Sequence, residues 1–162
     1  MASNLRIGHG YDVHRLVEGR RCIIGGVDIP HSKGLLGHSD ADVLAPALSD
    51  AILGACRGGG IGKLFPDTDP AYEGADSLTL LSKVMEYARQ LGYELVDADC
   101  TIACQEPKIG PHREAMRENL ARAIGCSVEN IGVKATTTEK LGWEGKGEGI
   151  GAWSVCLLER CI

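Results

Sequence analysis

The chain reads as an α+β protein, one sheet-and-helix layer sandwich with residues 1–162 as a single domain. Apolar runs of strand period recur along it, and helical runs spaced by three and four residues are interleaved between them. A chain of 162 residues fits one domain, and about 68–70% of its unfolded surface can be buried at this size. The hydrophobic share is 44% with only one Phe, two Trp and four Tyr, so the core is expected to be aliphatic.

The elements follow in order. Leu5 to His14 alternates as a strand, and residues two apart on a strand share a face, so Asp12 and His14 point the same way. Arg21 to Pro30 predicts a second strand, broken by a kink at Gly25-Gly26. After the polar turn His31 to Gly34, Ser39 or Asp40 is placed to cap a helix running to about Cys56, with Leu44, Leu48, Ala51, Ile52 and Ala55 on one face. Residues 57–75 hold five Gly and two Pro and predict a long loop. Asp76 can cap a helix that presents Leu78, Leu81, Val84, Met85 and Ala88 and stops at Gly92. Glu94 to Gln105 is a strand, Pro111 to Ile124 a helix ended by Gly125, and Asn130 to Thr138 and Gly151 to Glu159 are strands.

Several classes are excluded. A net charge of −5 leaves no basic footprint for nucleic acid, and no apolar run approaches the ~20 residues of a membrane span. The N-terminus lacks the apolar stretch of a signal peptide. Seven cysteines without a C-x-x-C pair, with Cys22, Cys100, Cys104 and Cys156 in aliphatic strand-like runs, predict buried free thiols and a reducing, cytoplasmic setting.

Asp12 and His14 make half of a zinc site, which ordinarily needs at least one more protein ligand. Gly37-His-Ser-Asp-Ala-Asp42 lies at a predicted helix start, where unpaired N–H groups suit an anion or simple capping by Ser39, Asp40 and Asp42; capping does not call for His38. Two nucleotide motifs fail. Gly58-Gly-Gly-Ile-Gly-Lys63 has Arg57 and Leu64 where a phosphate loop needs Gly and Ser or Thr, and Val13 stands where a dinucleotide fingerprint after Gly8-His-Gly10 needs Gly. Phe65-Pro-Asp-Thr-Asp-Pro70 suits a turn. Lys134-Ala-Thr-Thr-Thr-Glu-Lys140, the glycine-rich 142–149 segment and Lys108 offer hydroxyls, a carboxylate and cations of the kind that hold phosphate and Mg²⁺. Phosphoryl chemistry is the class these residues favour.

Taken as an ordered set, Gly8-His-Gly-Tyr-Asp-Val-His14, Lys33 to Asp42, Ile61-Gly-Lys-Leu-Phe-Pro-Asp-Thr-Asp69, Pro107-Lys108 and Val133 to Gly142 resemble the 2-C-methyl-D-erythritol 2,4-cyclodiphosphate synthase family. The resemblance runs from about Leu5 to Glu159. It implies a homotrimer with active sites between subunits, a small-molecule substrate, and ring closure with release of CMP in the non-mevalonate isoprenoid pathway. By similarity Asp12 and His14 would bind Zn²⁺, His38 and Thr137 would stabilise the transition state with Ser39 alongside, and Glu139 would hold Mg²⁺. Gly62, Phe65, Pro66, Asp67, Thr68 and Asp69 would contact the methylerythritol part. Cys104, Gln105, Glu106, Pro107, Lys108, Ile109 and Gly110, with Thr136 and Thr137, would take the cytidine and its phosphates. Val13, Gly60, Ile61, Thr138, Trp143 and Lys146 complete the implied substrate contacts.

Three positions depart from the family pattern. Pro46 stands where a third zinc-binding histidine is expected, in what the sequence predicts to be a helix interior, where Pro costs ~3 kcal/mol. Gly60 replaces an Asp, and Lys146 replaces an Arg and loses its planar fork. Two expectations follow: an active synthase with zinc occupancy in question, or a cytidine-binding homologue without turnover. A purely structural metal protein would need four protein ligands, a set the sequence lacks.

Overall fold

The computed structural model describes residues 2–66 and 68–161. In chain order it contains β1 (Leu5–Glu18), β2 (Cys22–Ile24), β3 (Val27–Ile29), β4 (Lys33–Leu36), α1 (Leu44–Ala55), α2 (Ile61–Leu64), α3 (Ser77–Gln90), β5 (Tyr93–Ala103), α4 (Arg113–Ile124), β6 (Ile131–Thr136), α5 (Gly142–Gly145) and β7 (Gly149–Arg160). One five-stranded sheet has the order β4-β1-β7-β5-β6, antiparallel except for β5 with β6. The expected mixed sheet-and-helix architecture is what the chain adopts.

Helices α1, α3 and α4 cover one face of the sheet, and the core between them is aliphatic: Leu44, Leu48, Ile52, Leu81, Met85, Ile102, Leu120 and Leu158 are fully buried. Cys22, Cys100, Cys104 and Cys156 are buried free thiols, as their strand-like surroundings predicted. Burial pushes Cys22 and Cys100 up to about 11 and Cys104 and Cys156 up to about 12, which keeps all four as neutral thiols at pH 7. The opposite sheet face carries exposed Ile7, Tyr11, Val13 and Val155, with the Tyr11 and Trp153 rings 5.0 Å apart.

The Gly-x-Gly of β1 sets how the site is built. A Cβ on Gly8 would land on the carbonyl oxygen of Ala51, and one on Gly10 on that of Ala47. The helix α1 therefore lies against bare strand backbone, closer than any side chain allows. Ala51 covers Gly8, Ala47 covers Gly10, and the next turn towards the helix start arrives at Asp12 and His14. This packing gives the glycines a use unrelated to a nucleotide fingerprint.

Three expectations are corrected by the fold. The segment from Arg21 to Pro30 is a hairpin rather than one kinked strand, because Gly25 and Gly26 take φ of 57° and 73°, the left-handed turn that reverses a two-stranded ribbon. Residues 57–75 are not all loop: α2 and a 3₁₀ turn at Pro70–Tyr72 lie within them. The helix α1 starts at Leu44, three to four residues later than a cap at Ser39 or Asp40 would place it. Pro46 therefore stands in the first turn, where its missing N–H has no intrahelical partner to lose. The expected interior cost of proline does not arise there.

The late helix start follows from Asp42. Its carboxylate accepts from Leu44 N at 2.9 Å and Ala45 N at 3.3 Å, and also from Gly25 N and Gly26 N at 2.9 and 2.8 Å. One fully buried group thus caps α1 and pins the hairpin turn. Burial pushes this carboxyl up to about 6, opposed by the N–H groups of Gly25, Gly26 and Leu44. Asp42→Ala leaves several buried donors without partners and is expected to cost about 3 kcal/mol or more. Urea unfolding should show a lower midpoint at unchanged slope.

Candidate active site

The sequence cluster 37–42 divides into two tasks. Asp40 is committed to structure: it accepts from Ser77 N at 3.1 Å and from the Ser77 hydroxyl at 2.5 Å, tying this turn to the start of α3. Asp76 caps the same helix through Leu78 N at 2.9 Å, as expected. The anion site anticipated at the α1 start is filled by Asp42 itself. The His38 ring is left half-buried, with a 3.2 Å contact from its Nε2 to the carbonyl of Asp69 as its one hydrogen bond, while the His38 carbonyl accepts from Gly74 N at 2.9 Å.

His38 and Ser39 line a cleft of about 270 Å³ together with Asp12, His14, Gly37, Pro46, Ile61, Gly62, Phe65 and Tyr72. Asp12, His14, His38, Ser39, Ile61, Gly62 and Phe65, all singled out in the sequence, thus converge from β1, the turn after β4, and α2 with the residue that follows it. Ser77, at the α3 start, and Leu80 close the floor. Their part was invisible in the sequence, because nothing local signals that Asp40 reaches across 37 residues to Ser77. The Phe65 and Tyr72 rings meet edge to face at 5.3 Å and shape one wall. Pro66 and Thr68 are exposed outside this lining, and the expected contact from Asp67 lies outside the described residues. Gly60 is also outside it. Asp50 of α1 accepts from Ile61 N at 3.1 Å beside it and so holds the start of α2.

At the centre, His14 Nε2 and Asp12 Oδ2 are 3.1 Å apart. The other ring nitrogen, Nδ1, lies 2.9 Å from the Leu36 carbonyl, which can only accept, so Nδ1 carries the hydrogen. In the neutral ring the Nε2 lone pair then faces a buried carboxylate oxygen that has no hydrogen-bond donor. Two facing acceptors attract a cation. Two ligands at ~2.0–2.1 Å from a tetrahedral zinc ion are separated by roughly 3.3 Å, so the pair fits two positions of such a site. Burial disfavours the protonated ring, but in that form Nε2–H donates to the same Asp12 oxygen, and this bond with the carboxylate charge and the Leu36 carbonyl holds His14 above its ordinary value. Among the described residues no group of three or more His, Cys, Asp or Glu could hold a metal ion together.

A second cleft, about 260 Å³, is lined by Cys104, Gln105, Pro107, Lys108, Ile109, Gly110, Thr136 and Thr137. The 104–110 segment and the end of β6 are brought together as anticipated, with Cys104 N donating to the Thr136 carbonyl at 2.9 Å. Beyond it Glu139 and Lys140 take φ of 54° and 64°, strained values for side-chain-bearing residues. The strain is held locally: Thr137 Oγ1 accepts from Glu139 N at 3.3 Å, Thr138 Oγ1 donates to Leu141 O at 2.6 Å, and Lys140 N donates to Gln105 Oε1 at 3.3 Å. Glu106 and Glu139 are exposed beside this cleft.

The two clefts have no lining residue in common. Val13 and Trp143 share a third cleft with His14, and Lys146 is exposed at the end of α5, in none of the three.

Comparison with known proteins agrees along almost the whole chain. The YgbB family model matches residues 5–159. The 2-C-methyl-D-erythritol 2,4-cyclodiphosphate synthase of Geotalea uraniireducens (strain Rf4) is 63% identical over 156 residues, covering 96% of this chain and 99% of its own. A solved 2C-methyl-D-erythritol-2,4-cyclodiphosphate synthase in a CDP-bound form is 40% identical with a TM-score of 0.87, over 95% of this chain and all of that one. The bifunctional IspDF of Campylobacter jejuni is 42% identical with a TM-score of 0.93, over 96% of this chain; the match spans 42% of that longer protein. The chain belongs to the YgbB family, alongside the 2-C-methyl-D-erythritol 2,4-cyclodiphosphate synthases.

Proposed function

We infer that the protein is a cyclising, CMP-releasing phosphorus–oxygen lyase. It converts 4-diphosphocytidyl-2-C-methyl-D-erythritol 2-phosphate to 2-C-methyl-D-erythritol 2,4-cyclodiphosphate in the non-mevalonate isoprenoid pathway. The observation that carries this reading is the 63% identity, over 96% of the chain, to a synthase of that name. Nothing in the relatives or in the cleft favours a cytidine-binding homologue without turnover.

In this reaction an oxygen of the 2-phosphate forms a bond to the β-phosphorus while the bond from that phosphorus to the α–β bridging oxygen breaks. CMP leaves with the electron pair, and nothing is oxidised or reduced. The protein's work in such a transfer is positioning and charge stabilisation. His38 and Ser39 face the cleft that holds Asp12 and His14, so His38 donates to oxygens of the transferring phosphoryl group with Ser39 beside it. Thr137 supplies the second polar contact. Gly62, Phe65 and Asp69 bound the methylerythritol part, and Gln105 to Gly110 with Thr136 take the cytidine. A divalent cation between Asp12 and His14 and a Mg²⁺ at Glu139 would supply positive charge to the diphosphate oxygens when bound.

A homotrimer fits the separation of the two clefts, since a site assembled between subunits can join one chain's His38 cleft to its neighbour's cytidine cleft. The exposed Ile7, Tyr11, Val13 and Val155 face supplies apolar surface for such an assembly. A single-domain enzyme acting in the cytoplasm agrees with its reduced cysteines, and among the described residues no helix is long and apolar enough to cross a membrane. Incubation with the substrate, Zn²⁺ and Mg²⁺ should release CMP and yield the cyclic diphosphate in equal amounts, followed by chromatography and ³¹P NMR. Intact substrate after prolonged incubation would sink the reading.

A further inference from the structure

We propose that the Asp12–His14 pair holds its divalent cation jointly with the bound nucleotide diphosphate, so that metal and anion bind as a coupled pair rather than the metal being resident. The inference rests on the reading of the cleft as a diphosphate site. Its basis is the donor inventory. Asp12 Oδ2 and His14 Nε2 are 3.1 Å apart and are oriented for one ion, His14 by its Nδ1–H on the Leu36 carbonyl and Asp12 by an oxygen without any donor. Pro46, the residue next to Ala47 with its contact on Gly10, lines the same cleft as the pair and its side chain offers no donor atom. No third His, Cys, Asp or Glu completes the set among the described residues. Asp42 cannot move in to replace one, because its two oxygens are taken by four backbone N–H groups.

A four-coordinate ion on this pair has two positions to fill from outside the protein. Water fills them weakly, and an oxygen anion fills them well, because it neutralises charge and is itself held by the cleft. The free protein should then have low affinity for the metal alone, and a diphosphate in the cleft should raise it. Linkage requires the metal to raise the diphosphate's affinity by the same factor.

The test measures both halves with CDP as the probe. Zinc binding is followed by equilibrium dialysis in a zinc-buffered solution with and without saturating CDP, and CDP binding by calorimetry at fixed high and low free zinc. The expected result is a coupling of on the order of tenfold or more, equal in the two directions. In Pro46→His, zinc should bind without CDP and the coupling should shrink. One zinc per chain retained by the unsubstituted protein at the same free zinc with or without CDP overturns the proposal. So does CDP binding that is indifferent to zinc. If neither protein binds CDP at any zinc level, the diphosphate reading itself falls and takes the proposal with it.

Discussion

Gly10→Ala is expected to be strongly damaging for a change of one methyl group, lowering unfolding free energy by about 3 kcal/mol or more. The added Cβ falls on the Ala47 carbonyl oxygen and lies 2.7 Å from Ala51 N, both backbone atoms of a helix buried along nearly its whole length. Neither can turn aside as a flexible side chain would. The helix must lift off β1, and α1 is also packed on β7 and α3, so the displacement spreads through the core. A melting temperature lowered by roughly 6–12 °C would report a loss of that size. Gly54→Ala is the matched control. It lies on the same helix, the nearest atom to its new Cβ is the His9 carbonyl oxygen at 3.8 Å, and φ is not in the left-handed region. That change should be neutral or stabilising by up to about 1 kcal/mol, since Ala replaces Gly inside a helix. Equal effects at the two positions would refute the close-contact explanation.

His38→Ala is expected to lower the rate of CMP release by about 10²–10³-fold, the range seen when one donor to a developing negative charge is removed. Stability should hardly change. The ring is half-buried and has only the 3.2 Å contact to the Asp69 carbonyl, whereas its neighbours Asp40 and Asp42 carry the hydrogen bonds that hold the turn. A loss in kcat with an unaltered melting temperature would separate the two kinds of residue in this six-residue segment. If His38→Ala were to unfold the protein while keeping full specific activity in its folded fraction, the assignment of His38 to the reaction would fail.

Most of the candidate site was legible because its residues have no other reason to be where they are. Asp12 and His14 break the apolar pattern of a strand on one face, and His38 exceeds what a capping turn requires. Asp40 and Asp42 misled for the same reason that capping residues often do: an acidic residue before a helix satisfies any nearby N–H groups, and the sequence does not say which. Asp42 took those of the Gly25-Gly26 turn and α1, and Asp40 took those of α3. The helix consequently began later, and Pro46 moved from a costly interior position to a tolerated one in the first turn.

The strands β1, β5, β6 and β7, the helices α1, α3 and α4 to within their ends, the aliphatic core, the buried thiols and the identity of the chemical groups were determined by the sequence alone, because periodicity and residue type express them locally. Which groups share a cleft was decided only by the tertiary structure. Gly8 and Gly10 let α1 lie directly on β1, and that contact carries Pro46 to the wall beside Asp12 and His14. The sequence could name the proline. Only the packing shows that it lines the same cleft as Asp12 and His14, in a helix turn where its ring costs little and where its side chain offers no donor atom.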